Sequence, residues 1–238
     1  VVHMWVEGAF EFFIVAVVGL TLVGMNLLRP ESAAKAVLLE ALLVMGAGIV
    51  GVSHHYWWIG LPDVWVPVGS VFSTLELIPL VIVLFETITE YRALVARGEA
   101  FPYRLPFAFI VASGVWNFVG AGVLGFFINL PLINYYEHGT YLTVAHGHAA
   151  MFGAFGMLAL GIGIYVLRVT TTGWSERRLW WSFWLWNVGL AVMVGASLLP
   201  IGFLQLETAF TAGYDAARSL AFYERPLVQT FFWLRFPG

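Results

Sequence analysis

The 238-residue chain contains no cysteine. That excludes disulfides, thiolate metal sites and cysteine nucleophiles, and leaves His, Asp and Glu as possible metal ligands. Charge is the second scarcity. Only 11% of the residues are charged, against 61% hydrophobic, whereas soluble domains carry roughly 25% charged residues. The net charge of −3 is small and has no basic face, which argues against a nucleic-acid partner. There is no initiator Met and no signal peptide before Val1-Val2-His3, and the chain stops after a strongly apolar run at Phe236-Pro237-Gly238. It reads as a piece of a longer chain.

What is abundant is apolar length. Mean hydropathy is +0.86, and a bilayer core needs roughly 20 apolar residues per helix. Six segments qualify, at approximately 2–28, 33–59, 64–91, 105–131, 141–168 and 179–204. The expected fold is all-α: a polytopic transmembrane helix bundle forming a single membrane domain over 1–238. A seventh stretch, 206–236, is aromatic but contains Asp215, Arg218, Glu224, Arg225 and Pro226. It reads as an interfacial segment leading into a partial further span. The first connection carries Arg29 and Lys35, the third Arg92, Arg97 and Arg104, and the fifth Arg168, Arg177 and Arg178, while the second and fourth carry no Lys or Arg. By the positive-inside rule the odd connections are cytoplasmic. Val115-Trp116-Asn117 and Leu185-Trp186-Asn187 echo each other; in a Trp-rich chain, coincidence is a simpler account than a repeat.

Against this background the ionisable residues stand out, because each costs several kcal/mol inside a span unless paired, coordinated or wet. His3, Glu7 and Glu11 follow i, i+4, i+8 and share one helical face. By themselves they fit a water-lined stripe as well as a metal site. Ser53-His54-His55-Tyr56-Trp57-Trp58 closes the second span; an interfacial aromatic cap is the alternative to a ligand pair. Glu76 lies about 18 Å into the third span at 1.5 Å per residue, with Pro79 just beyond it to loosen the helix. A protonated, hydrogen-bonded carboxyl is the alternative there. His146 and His148, at i and i+2, point to nearly opposite sides of the fifth span, and so suit two different centres rather than one. Gly147, Ala149, Ala150 and Gly153 leave room beside them for flat macrocycles. The charge-derived topology puts His3, His54, His55, His146 and His148 at one outer membrane level. Independent placement of five histidines from three distant segments would not readily do that, so a shared metal and haem site is expected.

The strings His3-Met4-Trp5-Val6-Glu7-Gly8, His54-His55-Tyr56-Trp57-Trp58-Ile59-Gly60, Leu75-Glu76, and Asn134-Tyr135-Tyr136-Glu137-His138-Gly139-Thr140 running into His146-Gly147-His148 resemble the catalytic subunit of bacterial nitric oxide reductases, within the haem–copper oxidase superfamily. The likeness runs along essentially the whole chain. Residues 199–207 and Trp233-Leu234-Arg235 look most like the single-chain, quinol-using branch. Leu77 stands where Pro is expected after the glutamate, and Ser53 where Gly is expected before the histidine pair.

The resemblance implies His3, His54 and His55 as ligands of a non-haem iron, with Glu7 as its carboxylate ligand. It implies His146 as proximal ligand of a high-spin haem b and His148 as an axial ligand of a low-spin haem b. Glu11 and Glu76 would be acidic residues near the dinuclear centre, and with Glu7 the candidate proton relays. A carboxylate is a hard donor suited to iron over copper, and Glu7 occupies the place where related oxygen reductases carry a tyrosine. The implied reaction is reduction of nitric oxide to nitrous oxide in a bacterial inner membrane, with a quinol or a cytochrome c as electron donor and the remaining helices of the parent chain as partners. The second histidine of the low-spin haem is expected from a helix outside this stretch, since His138 lies on the same side as His148. The isolated stretch is not expected to hold that haem normally or to be active alone. The alternatives are an oxygen-reducing haem–copper terminal oxidase fragment, with Tyr56 as the nearest tyrosine, and a haem-free transporter or scaffold with buried ion pairs.

Overall fold

The structure, a computed structural model, describes residues 3–57, 59–170, 173 and 175–236, with the side chains of Glu7, Ala47 and Val169 outside that description. Among the described residues there is no strand. Among the described residues, five helices are long and apolar enough to cross a membrane: α1 (Met4–Gly24), α3 (Trp65–Ala96), α4 (Arg104–Asn129), α6 (Tyr141–Arg168) and α7 (Glu176–Ala212). A further helix, α2 (Pro30–Gly51), passes the same test only together with the short turn that follows it, as a bent pair whose parts Pro30–Gly46 and Gly48–His55 meet at 46°. Glycine on both sides of the break gives the backbone little reason to stay straight. The short α5 (Pro131–Glu137) joins α4 to α6.

Local chemistry sets several boundaries. Pro30, Pro131 and Pro226 each open a helix, where the missing N–H costs nothing. Pro79 has no N–H for the Leu75 carbonyl, and the helical pattern of α3 loosens at Glu76-Leu77, where Glu76 N reaches only to Ser73 O. The second span ends earlier than expected, in a tight 3₁₀ turn over Val52–His55. The Ser53 hydroxyl secures that turn, lying 2.6 Å from Trp65 O and 2.8 Å from Val50 O. Among the described residues, a wider, π-type turn opens α1 at Met4–Phe10, and others interrupt α4, α6 and α7 at Phe118–Leu124, His148–Gly156 and Met193–Leu198.

The last span is longer than expected. Helix α7 continues to Ala212, so residues 206–212 extend it past the expected end at 204. It stops at Gly213, whose φ of +92° no ordinary side chain favours. Three short helices follow, α8 (Tyr214–Arg218), α9 (Leu220–Tyr223) and α10 (Pro226–Trp233). Helix α10 returns along α7, burying Val228 against Ile201 and Phe222.

The largest core joins α1, α2, α3, α4 and α6 through Ile14, Leu22, Ala36, Val83, Ile110 and Leu158. Small residues let α4 and α6 touch: a Cβ on Gly120 would meet the backbone of Ala149 and Ala150. Leu20, Leu38, Leu42, Met45 and Phe85 stay exposed, as side chains facing lipid do. Trp116 Nε1 donates to Asn187 Oδ1 at 2.9 Å, so the two Trp-Asn echoes meet as a single contact between α4 and α7.

Candidate metal and haem centre

Alternation of the helices brings the N-terminal ends of α1, α3 and α6 and the C-terminal ends of α2 and α4 to one end of the bundle. They enclose a cavity of about 620 Å³ lined by His3, Glu11, His55, Glu76, His138 and His146, among others. A ligand pocket of this size is ordinary for a small cofactor.

His3, His54 and His55 form the tightest cluster. One ring nitrogen from each lies within 4.8 Å of the others. Ring centroids are 5.0 Å apart for His3–His54, 5.5 Å for His3–His55 and 4.0 Å for His54–His55. The 3₁₀ turn lets the two consecutive histidines of α2 converge. His3 is fixed from α2: its Nε2 donates to Gly48 O at 2.8 Å, so Nδ1 is the nitrogen that would ligate a metal. The ring lies over Gly51, where a Cβ would come within 2.8 Å of Nε2. Three imidazoles at this spacing fit a first-row transition metal. The side chain of Glu7, the expected fourth ligand, is outside the described residues. Trp58, in the matching string after the histidine pair, is outside them too.

His146 lines the same cavity from α6. Its Nδ1 donates to Gly120 O at 2.8 Å, so Nε2 is the nitrogen that would ligate a metal. An imidazole anchored in this way is the usual arrangement at a metal. Gly122, Gly125 and Gly147 leave the cavity wall beside it without side chains, an opening that a flat macrocycle fits. His148 faces elsewhere. Its Nδ1 donates to Val144 O at 2.9 Å, and it lines a second, larger cavity of about 880 Å³ between α6 and α7 with Phe152, Arg178, Trp181 and Trp186. The expected division of the two histidines between two spaces is therefore the observed geometry.

Glu11 and Glu76 are both buried and both line the first cavity. Glu11 Oε2 accepts from Asn117 Nδ2 at 3.3 Å. Glu76 packs against α2, its Oε1 3.2 Å from where a Cβ on Gly48 would stand. Gly48 thus meets His3 through its carbonyl and Glu76 through its α-carbon.

Three polar residues near the site have no assigned role from sequence. Asn117 belongs to one of the Trp-Asn echoes, and Glu40 to no motif. An acid ten residues into an apolar span is the same signal that singles out Glu76. Glu137, inside a matching string, is buried and accepts from the Thr143 hydroxyl at 2.9 Å. Burial pushes its carboxyl up to about 7, against the opposing pull of that hydroxyl and of Arg218. Beside it, burial and then the positive charges of Arg218 and His55 lower the affinity of His138 for a proton. The His138 carbonyl accepts from Arg218 Nη2.

The profile of the family described as Cytochrome C and Quinol oxidase polypeptide I matches residues 1–238. Among curated proteins, a nitric oxide reductase subunit of Stutzerimonas stutzeri is 34% identical over 243 residues, covering 99% of this chain and 50% of its own length. The chain therefore spans about half the length of that relative.

Proposed function

The chain belongs to the cytochrome c and quinol oxidase polypeptide I family, and from that premise we propose that its parent protein reduces nitric oxide, two NO with two electrons and two protons giving N₂O and water. The observation that carries this reading is a three-histidine cluster sharing one cavity with an anchored fourth histidine and two buried glutamates. The likeness to a nitric oxide reductase of Stutzerimonas stutzeri supports the same choice. In this reading His3, His54, His55 and Glu7 would hold a non-haem iron, His146 a high-spin haem b, and His148 a low-spin haem b.

When bound, the iron and the high-spin haem would supply NO-binding positions and the electrons, a proximity effect. The protein does the rest. The Gly48 carbonyl holds the His3 ring through Nε2, so that Nδ1 would be its donor to iron. The Gly120 carbonyl holds His146 through Nδ1, so that Nε2 would be its donor to the haem. Glu11 and Glu76 hold protons at the cavity wall and release them into it. The apolar bundle excludes bulk water. A quinol or a cytochrome c is the electron donor. By the positive-inside rule the site lies toward the outer face of a bacterial inner membrane.

The test uses the full-length protein in membranes: metal content, NO consumption and N₂O formation. Near one non-haem iron per chain with NO-dependent N₂O production is expected. Stoichiometric copper at the site, with oxygen turnover far above NO turnover, would overturn the reading. It would also favour oxygen reduction, the second reading, for which Tyr56 on the cavity wall supplies a phenol.

A further inference from the structure

Glu40 lies midway along α2, about 15 Å from Pro30 at 1.5 Å per residue and about 21 Å from His54. It is 0% exposed, and neither carboxyl oxygen has a hydrogen-bond partner among the described residues. No cation pairs with it among those residues. A carboxylate there would be an uncompensated charge in an apolar bundle, so the surroundings accommodate the neutral acid. Such a group is costly for folding, and α2 would pack at least as well with leucine in its place.

Its charged neighbour is Glu11, within electrostatic reach where α1 packs on α2. Glu11 is the carboxyl that accepts from Asn117 and lines the metal and haem cavity. One turn before Asn117 on the same face of α4, Ser113 is 0% exposed, and its hydroxyl has no partner among the described residues. Glu40 on α2 and Ser113 on α4 are thus buried polar groups one step farther from the histidine cluster than the Glu11–Asn117 pair. Two turns before Glu40 on the same face of α2, Ser32 donates to Glu86 Oε1 at 2.8 Å. Glu86 is 36% exposed and lies 3.8 Å from Arg29, so this polar rim opens at the far end of the bundle.

We propose that Glu40 is a proton-holding station that delivers to Glu11 from the end of the bundle opposite the histidines. The proton leaves the Glu40 carboxyl for the Glu11 carboxylate as Glu11 releases its own into the cavity. The Glu40 carboxylate then regains a proton from water at the Ser32–Glu86 rim. Glu40 is a positioning and relay residue that touches neither substrate nor cofactor. The proposal rests on Glu11 being the proton donor to the site, and does not depend on whether the acceptor is NO or oxygen.

The experiment compares full-length wild type, Glu40→Gln and Glu40→Asp. Proton uptake from a pH-indicating dye is followed after the fully reduced enzyme meets whichever acceptor the wild type reduces. Infrared difference spectra are recorded in the carboxylic C=O region. Glu40→Gln is expected to keep wild-type haem spectra, to lose one C=O band, and to slow proton uptake roughly 100-fold. Glu40→Asp keeps the acid, so its band should move rather than vanish, with uptake intermediate; it also serves if the Gln protein fails to assemble. Wild-type uptake rates in either variant, or no band traceable to Glu40, would overturn the proposal. The choice of NO over oxygen is decided separately, by wild-type turnover alone.

Discussion

A methyl group added at Gly51 tests the histidine cluster with one atom. The Cβ of Gly51→Ala would sit 2.8 Å from His3 Nε2 and 2.9 Å from its Cε1, roughly 1 Å inside normal contact. His3 has little room to retreat. Its Nε2 is bonded to Gly48 O, and the rings of His54 and His55 stand on the other side. The ring must tilt, and Nδ1 moves off the point where the three imidazoles converge. Overpacking of this kind costs about 1–3 kcal/mol, and disturbing a residue that anchors a ligand typically costs about 10–100-fold in metal affinity. Alanine also favours the helix over glycine by up to about 1 kcal/mol, so fold stability should change little while iron binding falls. Gly46→Ala is the control: it lies on the same helix with nothing within 4 Å of its would-be Cβ. The assay is iron per chain in purified full-length protein as a chelator is titrated. The expected result is iron loss at about 10–100-fold lower chelator for Gly51→Ala, with Gly46→Ala at the wild-type position. Coincident curves for all three would refute the packing argument and with it the assigned role of His3.

Two further outcomes follow from the hydrogen-bond and charge geometry. Trp116→Phe removes the donor to Asn187 Oδ1 and should cost about 1–2 kcal/mol, read as a lower unfolding temperature in detergent; adding Asn187→Leu should restore part of it, and an unchanged single variant would refute the contact. Glu137 keeps its proton in the folded protein up to about pH 7, from an ordinary value of 4.5. Stability should therefore be fullest below the ordinary value and fall as pH rises through that window, by up to about 3 kcal/mol. Glu137→Gln should be flatter over the same window, and parallel pH profiles for the two proteins would refute the assignment.

The spans and the histidines were legible for one physical reason: lipid excludes polar groups, so any that remain inside an apolar run are informative. Spacing added the rest, since i, i+2 separates His146 from His148 on any helix. Three things were not legible in the same way. The convergence of His54 and His55 depends on a 3₁₀ turn that the string Ser53-His54-His55 does not announce. The extension of α7 through Glu207 to Ala212 runs against the polarity of that stretch, because a helix protruding beyond the apolar zone keeps its own hydrogen bonds. Glu40 lies as deep in an apolar run as Glu76 does, but it sits in no recognisable string, an isolated acid between the motifs.

The wide turn over His148–Gly156 begins at the second α6 histidine and runs into Met157–Thr170. Such a turn holds one residue more than an α-helix needs. Removing one residue there would let the backbone close as ordinary helix with its two flanks still in register. Removing one residue from Met157–Thr170 instead would rotate everything upstream by about 100°, swinging His146 and His148 off the cavities they face. The wide turn is thus a slack joint that absorbs a length change which the plain helix after it transmits. Indel scanning across both should therefore separate variants that insert into the membrane normally from those that also carry their cofactors.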